Sequence, residues 1–151
     1  MDTVRDLAVE AQLVTTGLMA GIYLAFSIAV MPGLARRDDR TYVEAMRGMN
    51  AAILNGWFFV VFVGPLPLGV VAVVTQLPDH DGLGWTILAL ALYVVTLVVT
   101  GVANVPLNNR LDSTEPLEEA RALFERSWVR WNVVRTVVCL ASFVALVPAA
   151  H

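Results

Sequence analysis

The stretch GLGWTILALALYVVTLVVTGVANVPLNN, residues 82–109, holds no charged side chain. A bilayer's hydrocarbon core is about 30 Å thick, and a helix needs about 20 apolar residues to cross it. Backbone inside lipid must also pair all of its own polar groups, so this segment predicts a helix. Three more such stretches flank it. Residues 11–35 and 51–78 are equally free of charge, and a shorter apolar run occupies 136–150. That last run reaches spanning length only by taking in residues 131–134, which brings Arg135 to the membrane edge.

The expected fold is therefore all-α: an integral membrane four-helix bundle in one domain, 1–151, with helices near 8–34, 42–77, 83–109 and 115–148. Composition agrees, with 58% hydrophobic and 15% charged residues and a mean hydropathy of +0.69. A lone cysteine, Cys139, excludes an intrachain disulfide and any Cys-based metal cluster. Asp2, Asp6 and Glu10 replace the basic start of a signal peptide, so none is expected. The only histidines are His80 and His151, each remote from other ligand-type residues. No metal and no cofactor is expected. Nor is nucleic acid a partner, because the Arg-bearing segments are short and mixed with acids.

Arginine sets the orientation. Arg36, Arg37, Arg40 and Arg47 lie between helices one and two; Arg110, Arg121, Arg126, Arg130 and Arg135 lie before or at the start of helix four. Only Arg5 lies elsewhere, and the turn at 79–82 has none. The positive-inside rule puts both long connections in the cytoplasm and both termini outside, at the plasma membrane if the chain is prokaryotic. Trp85 then serves as an outer interfacial anchor.

Local signals extend helices two and four into the cytoplasm. Thr41 with Glu44 reads as a capping box that starts helix two near Tyr42. Ser113-Thr114-Glu115-Pro116, followed by Glu118 and Glu119, reads as the start of helix four. Gly64-Pro65-Leu66-Pro67 should kink or interrupt helix two, because proline removes a backbone donor. A weak internal repeat couples Val30-Met31-Pro32-Gly33-Leu34 to Asn104-Val105-Pro106-Leu107-Asn108, each followed by charges and a capped helix. Gly17, Gly21, Ala25, Ala29 and Gly33 recur every fourth residue, spacing that permits close helix packing within the bundle or in a homo-oligomer.

Polar residues in a membrane helix are costly and need partners. Three groups qualify: Asn50 and Asn55 in helix two, Asn104 and Asn108 in helix three, and Trp128, Trp131, Asn132 and Arg135 in helix four. Trp128, Asn132 and Arg135 share one helix face, and Trp131 lies four residues from Arg135, within cation–π reach. All three groups fall at one depth. Together they suggest a pocket with amides, a fixed cation and indole faces, suited to a flat, apolar, phenolic molecule. The plainer roles are helix cross-linking for the Asn residues, an interfacial belt for the Trp residues and topology signals for the Arg residues.

The stretches Met31-Pro32-Gly33-Leu34, 46–50, Asn104-Val105-Pro106-Leu107-Asn108, and Arg126-x-Trp128 followed by Trp-Asn-x-x-Arg-Thr ending at Thr136 resemble the anthrone oxygenase family. The resemblance implies a small four-helix membrane protein that oxidises an anthrone to an anthraquinone with molecular oxygen. It implies that Trp128 and Trp131 stack on the substrate rings, while Arg135, Asn104, Asn108 and Asn132 stabilise the anionic oxygen. Asn50 and Asn55 are further binding candidates. No general base emerges from the sequence. Two other classes stay open: a non-catalytic membrane protein binding a lipid, quinone or partner helix, and a small dimeric multidrug-type transporter using Glu10.

Overall fold

The computed structural model describes every residue except Met1, Asp79, Asp81 and His151. The turn expected at 79–82 therefore lies partly outside the described residues. The described chain is helical, with no strand. Helix α1 (Asp2–Ala25) runs through a π turn (Phe26–Val30) into the short α2 (Met31–Leu34). Then come α3 (Asp39–Ala52), α4 (Gly56–Val63) and α5 (Pro65–Gln76). Helix α6 (Leu83–Val99) passes through a second π turn (Thr100–Asn104) into α7 (Val105–Ser113), and α8 (Leu117–Leu146) ends the chain with a 3-10 turn (Pro148–Ala150).

These segments make four rods long and apolar enough to cross a membrane: Thr3–Leu34, Gly56–Gln76, Leu83–Ser113 and Leu117–Ala150. Each packs mainly on two neighbours, α1 on α5, α5 on α6, α6 on α8 and α8 on α1. The outward face of the rods is apolar, unlike that of a water-soluble bundle. Val14, Leu18, Ile28, Val60, Val74, Ile87, Val98, Val137 and Val144 face outward. Gln12, Thr16, Gln76, Asn104, Asn132, Arg135 and Ser142 are buried. Outward aliphatics suit lipid, and of the inward polar groups Asn132, Arg135 and Ser142 make side-chain hydrogen bonds.

Helix two differs from its expected extent. It is not continuous from 42 to 77 but breaks at residues 53–55, where Asn55 adopts extended backbone and its side chain accepts from Phe58 N–H. That cap starts a new helix, and α3 becomes a separate amphipathic element. At Gly64 the interruption is mild, since its backbone stays right-handed helical and its N–H reaches Val60 O at 2.9 Å. A side chain at Gly64 would press on the Val60 carbonyl. The start of α3 is capped by Asp38, whose carboxylate accepts from Thr41 N–H and Thr41 Oγ1 at 3.0 and 2.7 Å. These bonds hold the Asp38 carboxyl below its usual range. Asp38, not Thr41, is thus the cap. Helix four starts at Leu117 with Glu118 and Glu119 in its first turn.

The small-residue stripe is also reassigned. Only Gly17 packs inside the chain, where an added Cβ would lie 2.9 Å from the Phe143 ring. Gly21, Ala25, Ala29 and Gly33 are exposed, and a Cβ at Gly21 would meet nothing within 4 Å. Spacing alone does not reveal which face of a helix looks outward.

The structure gives the internal repeat a register. The two π turns are offset by 74 residues (Phe26 to Thr100), and each runs directly into X-Pro, Met31-Pro32 and Val105-Pro106. Proline leaves the carbonyl four residues earlier without a donor, and a widened turn absorbs the mismatch. The same offset pairs Arg36 with Arg110, Asp38 with Asp112, Glu44 with Glu118 and Arg47 with Arg121. The last pair is reciprocal. Arg47 donates to Leu111 O at 3.0 and 2.8 Å and to Thr114 O at 2.9 Å, closing the end of rod three. Arg121 donates to Ala35 O at 3.0 Å and Arg37 O at 2.7 Å, closing the end of rod one. Each half supplies the cation that satisfies the other's terminal carbonyls.

Candidate functional site

Helix α8 turns one buried face inward: Trp128, Asn132, Arg135, Thr136 and Cys139. The two π turns grip this face from either side. Ser27, in the first turn, accepts from Asn132 Nδ2 at 2.8 Å, and its hydroxyl pairs with Thr136 Oγ1 at 3.0 Å. Asn132 Nδ2 also donates to Tyr23 O at 3.1 Å. With its amide N–H groups so engaged, Asn132 presents Oδ1 to Arg135 Nη2 at 2.8 Å. Thr100, in the second turn, accepts from Arg135 Nη1 at 3.4 Å.

Arg135 is 6% exposed. Its Cζ stands 4.5 Å from the Tyr23 ring centroid and 5.4 Å from that of Trp128, so two π faces flank the cation. The aromatic partner is thus Trp128 with Tyr23, and not Trp131, which is 40% exposed. Among the described residues Arg135 makes no ion pair, and its buried Nε has no hydrogen-bond partner. A buried guanidinium without a carboxylate is expensive, and an anionic ligand relieves that cost.

A cavity of about 370 Å³ opens beside this cation. Tyr23, Thr100, Asn132 and Arg135 line one part, and Phe26, Phe58, Phe59, Phe62 and Trp128 supply aromatic walls. Met49, Asn50, Ile53 and Leu54, from α3 and the break after it, form another side. Val105, Asn108, Asn109 and Asp112 complete it, one face of α7 at i, i+3, i+4 and i+7. Trp128 Nε1 donates to Asn108 Oδ1 at 2.8 Å, which fixes that amide. A second, polar pocket lies at the opposite end, lined by Arg5, Asp6, Glu10 and Ala149 among others.

Of the residues singled out in the sequence, Asn50, Asn108, Trp128, Asn132 and Arg135 meet at this cavity. Three sit apart from its lining. Asn104 is fully buried with both amide atoms unpartnered, Asn55 caps α4, and Trp131 is on another face of α8. Sequence reasoning missed Tyr23, Thr100 and Asp112, and the buried Gln12 and Gln76 of α1 and α5. Tyr23 and Thr100 carried no charge to flag them. Asp112 was not singled out among the charges that follow Asn109. Among the described residues no three His, Cys, Asp or Glu side chains gather in a metal-binding arrangement.

Fold and cavity together define a membrane-spanning helical protein with an aromatic-walled site built around one buried cation. A family model for anthrone oxygenase matches residues 57–145, over half of the chain. The protein belongs to the anthrone oxygenase family. The matched stretch carries Asn108, Trp128, Asn132 and Arg135, whereas Tyr23 and Asn50 lie before it. No curated protein and no solved structure matches the chain.

Proposed function

We propose that the protein oxidises an anthrone-like polycyclic phenol to a quinone with molecular oxygen, and that the cavity beside Arg135 is the site. The observation that carries this reading is a buried guanidinium with no carboxylate partner, set among aromatic rings and amides. An anthrone's methylene is flanked by two aryl rings and conjugated to its carbonyl. Losing a proton there gives an enolate whose charge sits largely on oxygen, and this electron-rich species reacts with oxygen directly. In this reading Arg135, held by Asn132 and Thr100, stabilises that oxygen, with Asn108 as a further amide. Trp128 and Phe58 offer ring faces for the polycycle. The balance is one anthrone and one oxygen giving one quinone and one water, so the residues need only bind, orient and move protons.

By arginine asymmetry the α3 end faces the cytoplasm and both termini face away from it. A proton-coupled transporter draws less support, because among the described residues no Asp or Glu side chain is buried and Glu10 is exposed. The deciding experiment is oxygen consumption by purified protein supplied with an anthrone, with quinone formation followed in parallel. Turnover well above the spontaneous rate is expected. A rate equal to background, with the polycycle bound, would instead make this a binding protein.

A further inference from the structure

The reaction requires a group that takes the methylene proton, and Asp112 is the one carboxylate lining the cavity. We propose that Asp112 is the general base; the assignment rests on the oxygenase reading above. Asp112 lies on the α7 face that also presents Val105, Asn108 and Asn109 to the cavity. It is exposed at the mouth and makes no ion pair among the described residues. Its repeat counterpart, Asp38, has both carboxylate oxygens occupied by Thr41. The same acid is therefore spent on a helix cap in one half and left available in the other.

The substrate's own layout sets the order in which the groups must stand. In an anthrone the carbonyl and the methylene sit across the central ring from each other. Oxyanion donors and proton acceptor must then stand at opposite ends of the site. Arg135 bonds Thr100 at one end of the rod-three wall, and Asp112 is twelve residues further along the chain. Both side chains line the same cavity, so the cation and the carboxylate face it from different levels of that wall. A carboxylate is a weak base for a carbon acid, and it suffices where the enolate oxygen is stabilised at the same moment.

The step balances as follows. The C–H bond breaks, its proton goes to Asp112, and its electron pair moves to the ring carbonyl oxygen. The enolate carbon then bonds to molecular oxygen, which is reduced to peroxide as the carbon is oxidised. Asp112 returns the proton to the outer peroxide oxygen. Loss of the second proton from that carbon breaks the O–O bond, forms the new carbonyl and releases hydroxide, which with this proton makes water.

Two measurements on the full-length protein test the assignment. The first is deuterium exchange at the methylene of an anthrone, without oxygen, in heavy water. The second is oxygen uptake. Asp112→Asn is expected to lower both by roughly 10²–10⁴-fold, the usual worth of a general base. Quenching of tryptophan fluorescence by a hydroxyanthraquinone should stay within about threefold of wild type, as binding does not need the base. Asp112→Glu should recover part of the rate that Asp112→Asn loses. Unchanged exchange in Asp112→Asn overturns the assignment while leaving the oxygenase reading intact. Asp112-dependent exchange without any oxygen uptake sustains the base and overturns the oxygenase reading. Equal loss of exchange and of quinone binding shows a structural role and overturns the assignment.

Discussion

The two halves of this chain solve one local problem identically and then diverge. At Phe26–Val30 and again at Thr100–Asn104 a π turn absorbs the proline that follows. At each rod's end an arginine from the other half closes the free carbonyls, Arg121 for rod one and Arg47 for rod three. The first half then uses its polar groups as structure. Ser27 fixes Asn132, and Asp38 caps α3. The second half turns the equivalent stretch toward the cavity, with Thr100 on Arg135 and Asn108 and Asp112 along the wall. Duplication therefore supplies a scaffold on both sides, while the site is asymmetric.

The largest expected effect is on the cavity side. Arg135→Leu should cut kcat by roughly 10²–10³-fold, the loss typical of one oxyanion donor, yet leave the protein inserted because leucine suits a membrane helix. Oxygen uptake and membrane fractionation read both. An active Arg135→Leu would remove the distinction between the halves. Next is the grip on Asn132. Asn132→Leu should leave Ser27 with Thr136 and Arg135 with Thr100 as remaining partners, and cost about 1–3 kcal/mol, measured as thermal stability in detergent. Ser27→Ala removes one partner each from Asn132 and Thr136, and a loss of about 0.5–1.5 kcal/mol is expected, with kcat reduced less than in Arg135→Leu. If Ser27→Ala impaired turnover as severely as Arg135→Leu, Ser27 would be part of the site and not only its support. The smallest effect belongs to Gly21→Leu, which should melt like wild type because the added side chain meets nothing within the chain. A large loss there would reveal a second copy on that face.

The spans were legible because lipid imposes one demand, a long uncharged run, and the sequence meets it three times outright and a fourth time with Arg135 at the edge. Breaks were less legible. Pro65 and Pro67 looked like the interruption of helix two, yet their helix continues almost undisturbed through Gly64. The true break at residues 53–55 carries no proline; its signal was Asn55 standing three residues before Phe58, an N-cap spacing easily read as a buried amide. The face shared by Trp128, Asn132 and Arg135 follows from helical period, and those residues do meet at the cavity. Its opposite wall does not follow from period. Tyr23 and Thr100 reach Arg135 only through the crossing of three rods. Arg47 and Arg121 looked like topology signals, and their carbonyl partners in the other half could be found only once the rods were packed.

The break before Asn55 has one more consequence. It leaves rod two with 21 residues, while the other three rods have 31 to 34. At 1.5 Å per residue that is about 32 Å, close to the thickness of a bilayer core. Rod two is therefore the ruler of the molecule, and its Asn55 end marks where hydrocarbon gives way to headgroups. Met49 and Asn50, on the cavity's wall, come just before that mark in the chain. An apolar polycycle dissolved in the leaflet meets such a site sideways, at the concentration it reaches in lipid. Apparent KM should then scale with the amount of lipid or detergent in the assay, and not with total volume.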